Sequence, residues 1–313
     1  SSRTYVMAQA LRALLHCAVL TTYADAMRIN LATKLEFSPP SRSVARKLIV
    51  CGTRDALLAD GAKDLLPLGL ALKRWEFLVD QAPGTPWMYT AADGKPSTII
   101  AALLPEACSR HASRVRPHSV TSLLKDSCGS KEADVIVVLE HEGLAGGTAC
   151  AIGRAFPLFT AKSRRAAKSD DGEEEGEPIV RVSFATHDGP LLEGYNSFAA
   201  AAEGVRRAAR LVDLPPDRLT PTAFVGEAQE AAGRLAAKGK RVECSVISGE
   251  DLRDQGYGYM WGVGKAAEEP PALVVLSYLP AEAPESARAV CLVGKGICYD
   301  TGGLSLKSKD GVL

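Results

Sequence analysis

Two lysines, one aspartate and four glycines share Val293-Gly294-Lys295-Gly296-Ile297-Cys298-Tyr299-Asp300-Thr301-Gly302-Gly303-Leu304-Ser305-Leu306-Lys307, which continues the apolar run Ala289–Val293. Glycine lets a backbone turn sharply and approach a ligand closely. A carboxylate at a strand end is a natural ligand for a hard cation. Lys295, five residues before Asp300, can coordinate as a neutral amine once desolvation beside a metal strips its proton. Lys307, seven residues after it, can stay protonated and polarise a carbonyl. A glycine-rich strand–loop with two solvated lysines accounts for the same composition, because short motifs match by chance.

Competing chemistries fail on residue type. Gly264-Lys265 and Gly294-Lys295 are followed by Ala266 and Gly296, so neither offers the hydroxyl of a phosphate loop. His111, His118, His141 and His187 stand far apart, without metal-ligand spacing, and read as packing or surface residues. The eight cysteines include no C-x-x-C pair, and several sit in apolar runs such as Leu48-Ile49-Val50-Cys51. They read as reduced thiols in a reducing compartment.

The elements that must position such a loop are of α/β type. A length of 313 residues suits two domains. The 46% hydrophobic and 24% charged composition excludes collagen, coiled coil and a wholly disordered chain. The 37 basic and 37 acidic residues cancel, so no global field draws nucleic acid or an anionic membrane, and neither is expected as a partner. No apolar run approaches the roughly 18 residues of a membrane span. Residues 33–190 read as an N-terminal α/β domain with buried strands at 48–51 and 133–139 and helical segments over 61–79 and 148–156. Within it, 162–177 place four basic residues before six acidic ones with no aromatic, a solvated and disordered loop. Helices over 199–212 and 223–237 and strands at 241–247, 272–276 and 289–293 follow. They predict the opening part of a second α/β domain, 191–313, with a largely parallel sheet whose ligands gather at strand carboxyl ends. Residues 1–32 read as an extension. Their first 24 residues carry no acid, which fits a targeting peptide as well as an appended amphipathic helix.

The stretch VGKGICYDTGGLSLK resembles the metal-site signature of the leucyl aminopeptidase family, two-metal cytosolic exopeptidases. ARLVDLPPDRLTP (209–221) and GVGKAAEEPPALVVLSY (262–278) resemble that family's preceding catalytic-domain segments. AIGRAFPLFTAKS (151–163) and the LEF strand near residue 36 resemble its aminopeptidase-like branch. Several motifs in order are more specific than one. The resemblance implies metal ligands at Lys295 and Asp300 and a catalytic lysine at Lys307 that helps stabilise a tetrahedral oxyanion. It puts the remaining ligands and a catalytic arginine beyond Leu313, in a part of the catalytic domain that the chain does not reach. Asp310 lies too near Asp300, and outside any matching motif, to substitute.

The resemblance further implies two divalent ions, zinc or manganese, and a peptide substrate cut at its N-terminal residue. It also implies a homohexamer and a cytoplasmic location, with organellar targeting by residues 1–26 the alternative. On the same reading the 313-residue chain alone is inactive. A competing reading makes it a non-catalytic module that binds partners or full-length subunits.

Overall fold

The computed structural model describes residues 33–40, 46–67, 70–82, 86–90, 94–108, 113–129, 131–159, 178–189, 191–284 and 286–309. The extension at 1–32 and the charged loop at 162–177 lie outside the described residues. Two compact units part between Asp213 and Leu214.

The first unit is built on a six-stranded sheet. Its strands are β1 (Lys34–Phe37), β2 (Lys47–Gly52), β3 (Trp87–Thr90), β4 (Pro96–Leu103), β5 (Ala133–Leu139) and β6 (Ile179–Thr186), in the order β1-β6-β5-β2-β4-β3. Every pairing is parallel except β3 with β4. The central strands are apolar on both faces because helices cover both. Leu48 and Val50 of β2 pack with α1 (Arg54–Leu58), α2 (Asp60–Lys63) and α3 (Leu72–Asp80), around the fully buried Trp75. Ile49 and Cys51 point the other way, toward α4 (Pro117–Cys128) and α5 (Ala145–Ala155). The single helix expected over 61–79 is two short ones, because Pro67 has no N–H to donate and clashes with the preceding turn.

The long helix α6 (Tyr195–Asp213) completes this unit by lying on α5. The approach is so close that a Cβ at Gly153 would stand 2.6 Å from Ala202 O. Arg206 of α6 is buried, its Nε donating to Phe156 O at 2.8 Å and its Nη2 to Thr33 O at 2.6 Å. The seven cysteines among the described residues are free thiols. Burial pushes Cys51 and Cys128 up to about 12.

In the second unit α7 (Pro221–Ala237) starts at Thr220, whose Oγ1 accepts the Ala223 N–H at 3.3 Å, with Pro221 in the first turn. It packs on β7 (Val242–Ser248) and β8 (Ala272–Tyr278), which are joined through α8 (Glu250–Asp254) and α9 (Gly258–Gly264). The structure differs here from the parallel pattern expected. β7 and β8 pair antiparallel, the two short helices turning the chain back rather than carrying it over the sheet. Ala289–Val293 forms no strand. Val290, Leu292 and Val293 are 86%, 91% and 93% exposed, and a strand exists only where neighbours take its backbone hydrogen bonds. No helix among the described residues is long and apolar enough to cross a membrane.

Candidate functional site

The segment that follows 289–293 turns back on itself. Gly302 and Gly303 have φ of +94° and +62°, a region L-residues avoid, and the Lys307 N–H donates to Thr301 O at 2.9 Å. A Cβ at Gly302 would collide with Ser305 O, so glycine is required for the turn on two counts. The result brings Lys307 Nζ to 2.7 Å from Asp300 Oδ1, the oxygen that also accepts the Gly302 N–H at 3.0 Å. The hydrogen bond from Lys307 first, then that from Gly302, hold the Asp300 carboxyl below the usual carboxylate range, and the charges of Lys307 and Lys295 act in the same direction.

Lys295, Asp300 and Lys307 line one open depression of about 340 Å³, together with Ile297, Cys298 and Tyr299. All three residues singled out by sequence therefore line the same depression. Beside it the segment runs close to α7, where the Phe224 ring lies 3.4 Å from the position a Cβ at Gly296 would take.

Glu269 is the neighbour that sequence reasoning missed. Its Oε2 accepts the Thr222 N–H at the start of α7, 3.1 Å away. Burial pushes its carboxyl upward, but hydrogen bonds from the Thr222 and Thr220 side chains and the Thr222 N–H outweigh that and hold it low. Burial first, then the charge of Glu269, push the Cys298 thiol up. Forty-seven positions separate Thr222 from Glu269, so no local spacing links them; the only signal was an acidic pair before Pro270-Pro271 and a helix start in need of acceptors.

The donors present do not complete a metal centre. Among the described residues no group of three or more His, Cys, Asp and Glu is arranged to hold a metal ion. Lys295 and Asp300 offer one amine and one carboxylate, and one carboxylate oxygen is already engaged twice. Catalytic zinc sites take three protein ligands. What the segment can do unaided is bind a cation weakly through Asp300 and present an ammonium to an electron-rich oxygen through Lys307.

Residues 206–313 match the model of the cytosol aminopeptidase family catalytic domain, and residues 46–165 match the M17 aminopeptidase N-terminal domain 2. The chain belongs to the cytosol aminopeptidase family. Within the family it is 36% identical over 212 residues to human "Probable aminopeptidase NPEPL1", covering 66% of this chain and 38% of that protein. It is 34% identical over 212 residues to "Leucine aminopeptidase 1" of Caenorhabditis elegans, covering 67% and 39%. A solved leucyl aminopeptidase from Leishmania major, in complex with actinonin, superposes with a TM-score of 0.73 at 26% identity, over 94% of this chain and 56% of that one. The match thus spans about two fifths of the length of these two curated relatives.

Proposed function

We propose that the protein carrying this segment is a metal-dependent aminopeptidase that releases N-terminal amino acids from peptides. Lys295 and Asp300 supply two of the ligands for divalent ions, zinc or manganese, and Lys307 is a catalytic lysine. The observation that carries the reading is the convergence of these three residues on one depression, in a stretch matched by the family's catalytic-domain model. Divalent ions in such a site supply an activated water and a Lewis acid. This segment's own residues have narrower tasks. Asp300 offers anionic oxygens to a cation. Lys307 brings a donor to the oxygen on which negative charge develops, and the Gly302–Gly303 turn sets the distance between them.

The division into an N-terminal α/β domain (33–190) and a partial catalytic domain (191–313) belongs to the same proposal; the catalytic-domain match begins at 206 inside α6, whereas the compact units part only after that helix, between Asp213 and Leu214. So do a homohexamer, on the family resemblance, and a cytoplasmic location, on the printed names of relatives called cytosol aminopeptidases.

The test is hydrolysis of leucyl-anilide by the protein expressed from its complete coding sequence, with and without manganese. Asp300→Ala is expected to lose metal and activity together. Lys307→Ala keeps the metal and loses roughly 10²–10³-fold in turnover, the scale of a deleted oxyanion donor. An Asp300→Ala variant with normal metal content and activity would refute the assignment.

A further inference from the structure

Lys295 and Asp300 are joined through residues 296–299, which form no helix or strand. The first turn of α7 runs beside this connection. The Phe224 ring stands 3.4 Å from where a Cβ at Gly296 would be, so the ring lies against backbone next to Lys295. That turn is itself held from a distance. The Phe224 N–H donates to Thr220 O at 2.9 Å, and Glu269 Oε2 accepts the Thr222 N–H at 3.1 Å. Glu269 also accepts from the Thr220 and Thr222 hydroxyls. Its carboxylate lies near enough to Cys298 that its charge, after burial, raises that thiol. Phe224 and Glu269 thus flank the connection at Gly296 and near Cys298, and neither lines the depression.

We propose that Phe224 and Glu269 are positioning residues, which from the start of α7 fix the path of residues 296–299 and with it the separation of Lys295 and Asp300. The inference rests on the aminopeptidase reading of Lys295, Asp300 and Lys307. An irregular connection has many paths open to it, and holding one of them costs conformational entropy at every residue. The ring packed on a residue without a side chain selects one path. Glu269 acts through Phe224, because its hydrogen bonds hold the turn that carries the ring. The effect falls on turnover rather than on stability alone, since a misplacement of about 1 Å at a reacting group costs up to about 10²-fold in rate.

Two readouts on the protein expressed from its complete coding sequence test this. One is turnover of leucyl-anilide; the other is alkylation of Cys298 by iodoacetamide, located by peptide mass spectrometry. Phe224→Ala is expected to lower kcat about tenfold with KM held within about twofold, the pattern of a displaced group rather than of weakened binding. It should also speed Cys298 labelling as the connection loosens, and Phe224→Leu should act in the same direction to a smaller extent. Glu269→Ala is expected to lower kcat about threefold. Glu269→Gln, whose amide oxygen still accepts the Thr222 N–H, should recover most of that loss. Ala232→Gly weakens the same helix just over two turns from Phe224 and is expected to move neither readout. Equal losses of turnover in Ala232→Gly and Phe224→Ala would make the effect general destabilisation and overturn the proposal. Wild-type kcat or wild-type labelling in Phe224→Ala overturns it as well. So does a loss in Glu269→Gln as large as in Glu269→Ala, since charge rather than position would then be what acts. If the unsubstituted protein cleaves no anilide while Phe224→Ala still speeds labelling, the aminopeptidase reading fails and the seating of the connection on α7 stands.

Discussion

Replacing Arg206 by Met should destabilise the first unit by about 3 kcal/mol, far more than its place on a helix beside other arginines suggests. Its side chain is 6% exposed, with Nε and Nη2 donating to Phe156 O and Thr33 O and Nη1 lying 3.6 Å from Glu203. Hydrogen bonds from a charged donor contribute about 1.5–3 kcal/mol each, and deleting one partner leaves a buried acceptor unsatisfied. Against this, Met keeps the apolar stem and removes a buried charge that was itself costly to desolvate. The balance leaves roughly half of the gross loss.

In a unit of this size each kcal/mol moves Tm by about 2–4 °C, so a fall of about 10 °C is expected. Trp75, fully buried in the same unit, supplies a fluorescence signal for urea melts. Arg207→Met is the control. That side chain pairs with Glu203 at 2.9 Å but is 46% exposed, and its loss should fall below about 1 kcal/mol. Equal melting midpoints for the two variants would refute the claim that Arg206 ties α6 to the start of β1 and the end of α5.

Glu269→Ala should weaken the start of α7 by about 0.5–2 kcal/mol, the range of a lost helix cap, read as a lower urea midpoint for the second unit. At high pH the first unit should lose stability between about pH 9 and 12. The Cys51 thiol is raised to about 12 by burial, with Cys128 adding to it, so its neutral form is favoured in the folded state and stability drains as the unfolded chain ionises first. By pH 11 the loss from Cys51 is about 2–3 kcal/mol, and Cys51→Ala should make that alkaline limb shallower while Cys128 keeps its own share; an unchanged limb would assign it to other groups. A polypeptide of residues 1–313 should bind no stoichiometric manganese and hydrolyse no leucyl-anilide, since among its described residues Asp300 is the one carboxylate lining the depression with Lys295 and no group of three metal-ligating side chains is formed. Robust turnover with bound metal would contradict that.

Strands over 48–51 and 133–139 were legible from sequence because a strand covered on both faces must be apolar at every position, a pattern that needs no knowledge of its neighbours. The starts of α6 and α7 were legible within a few residues, since helix periodicity, Thr220 and Pro221 are local signals. The three candidate site residues were legible through motif order. What sequence could not reach depends on contacts between distant positions. Arg206 looks like any helical arginine until Phe156 and Thr33 close over it. Ala289–Val293 has the composition of a buried strand yet is not one, because strand formation depends on partners for its N–H and C=O groups. Asp300 and Lys307 were each named from the chain. Only the left-handed turn at Gly302 and Gly303 decided that they meet, since a backbone dihedral, not a residue type, carries the lysine back to the carboxylate.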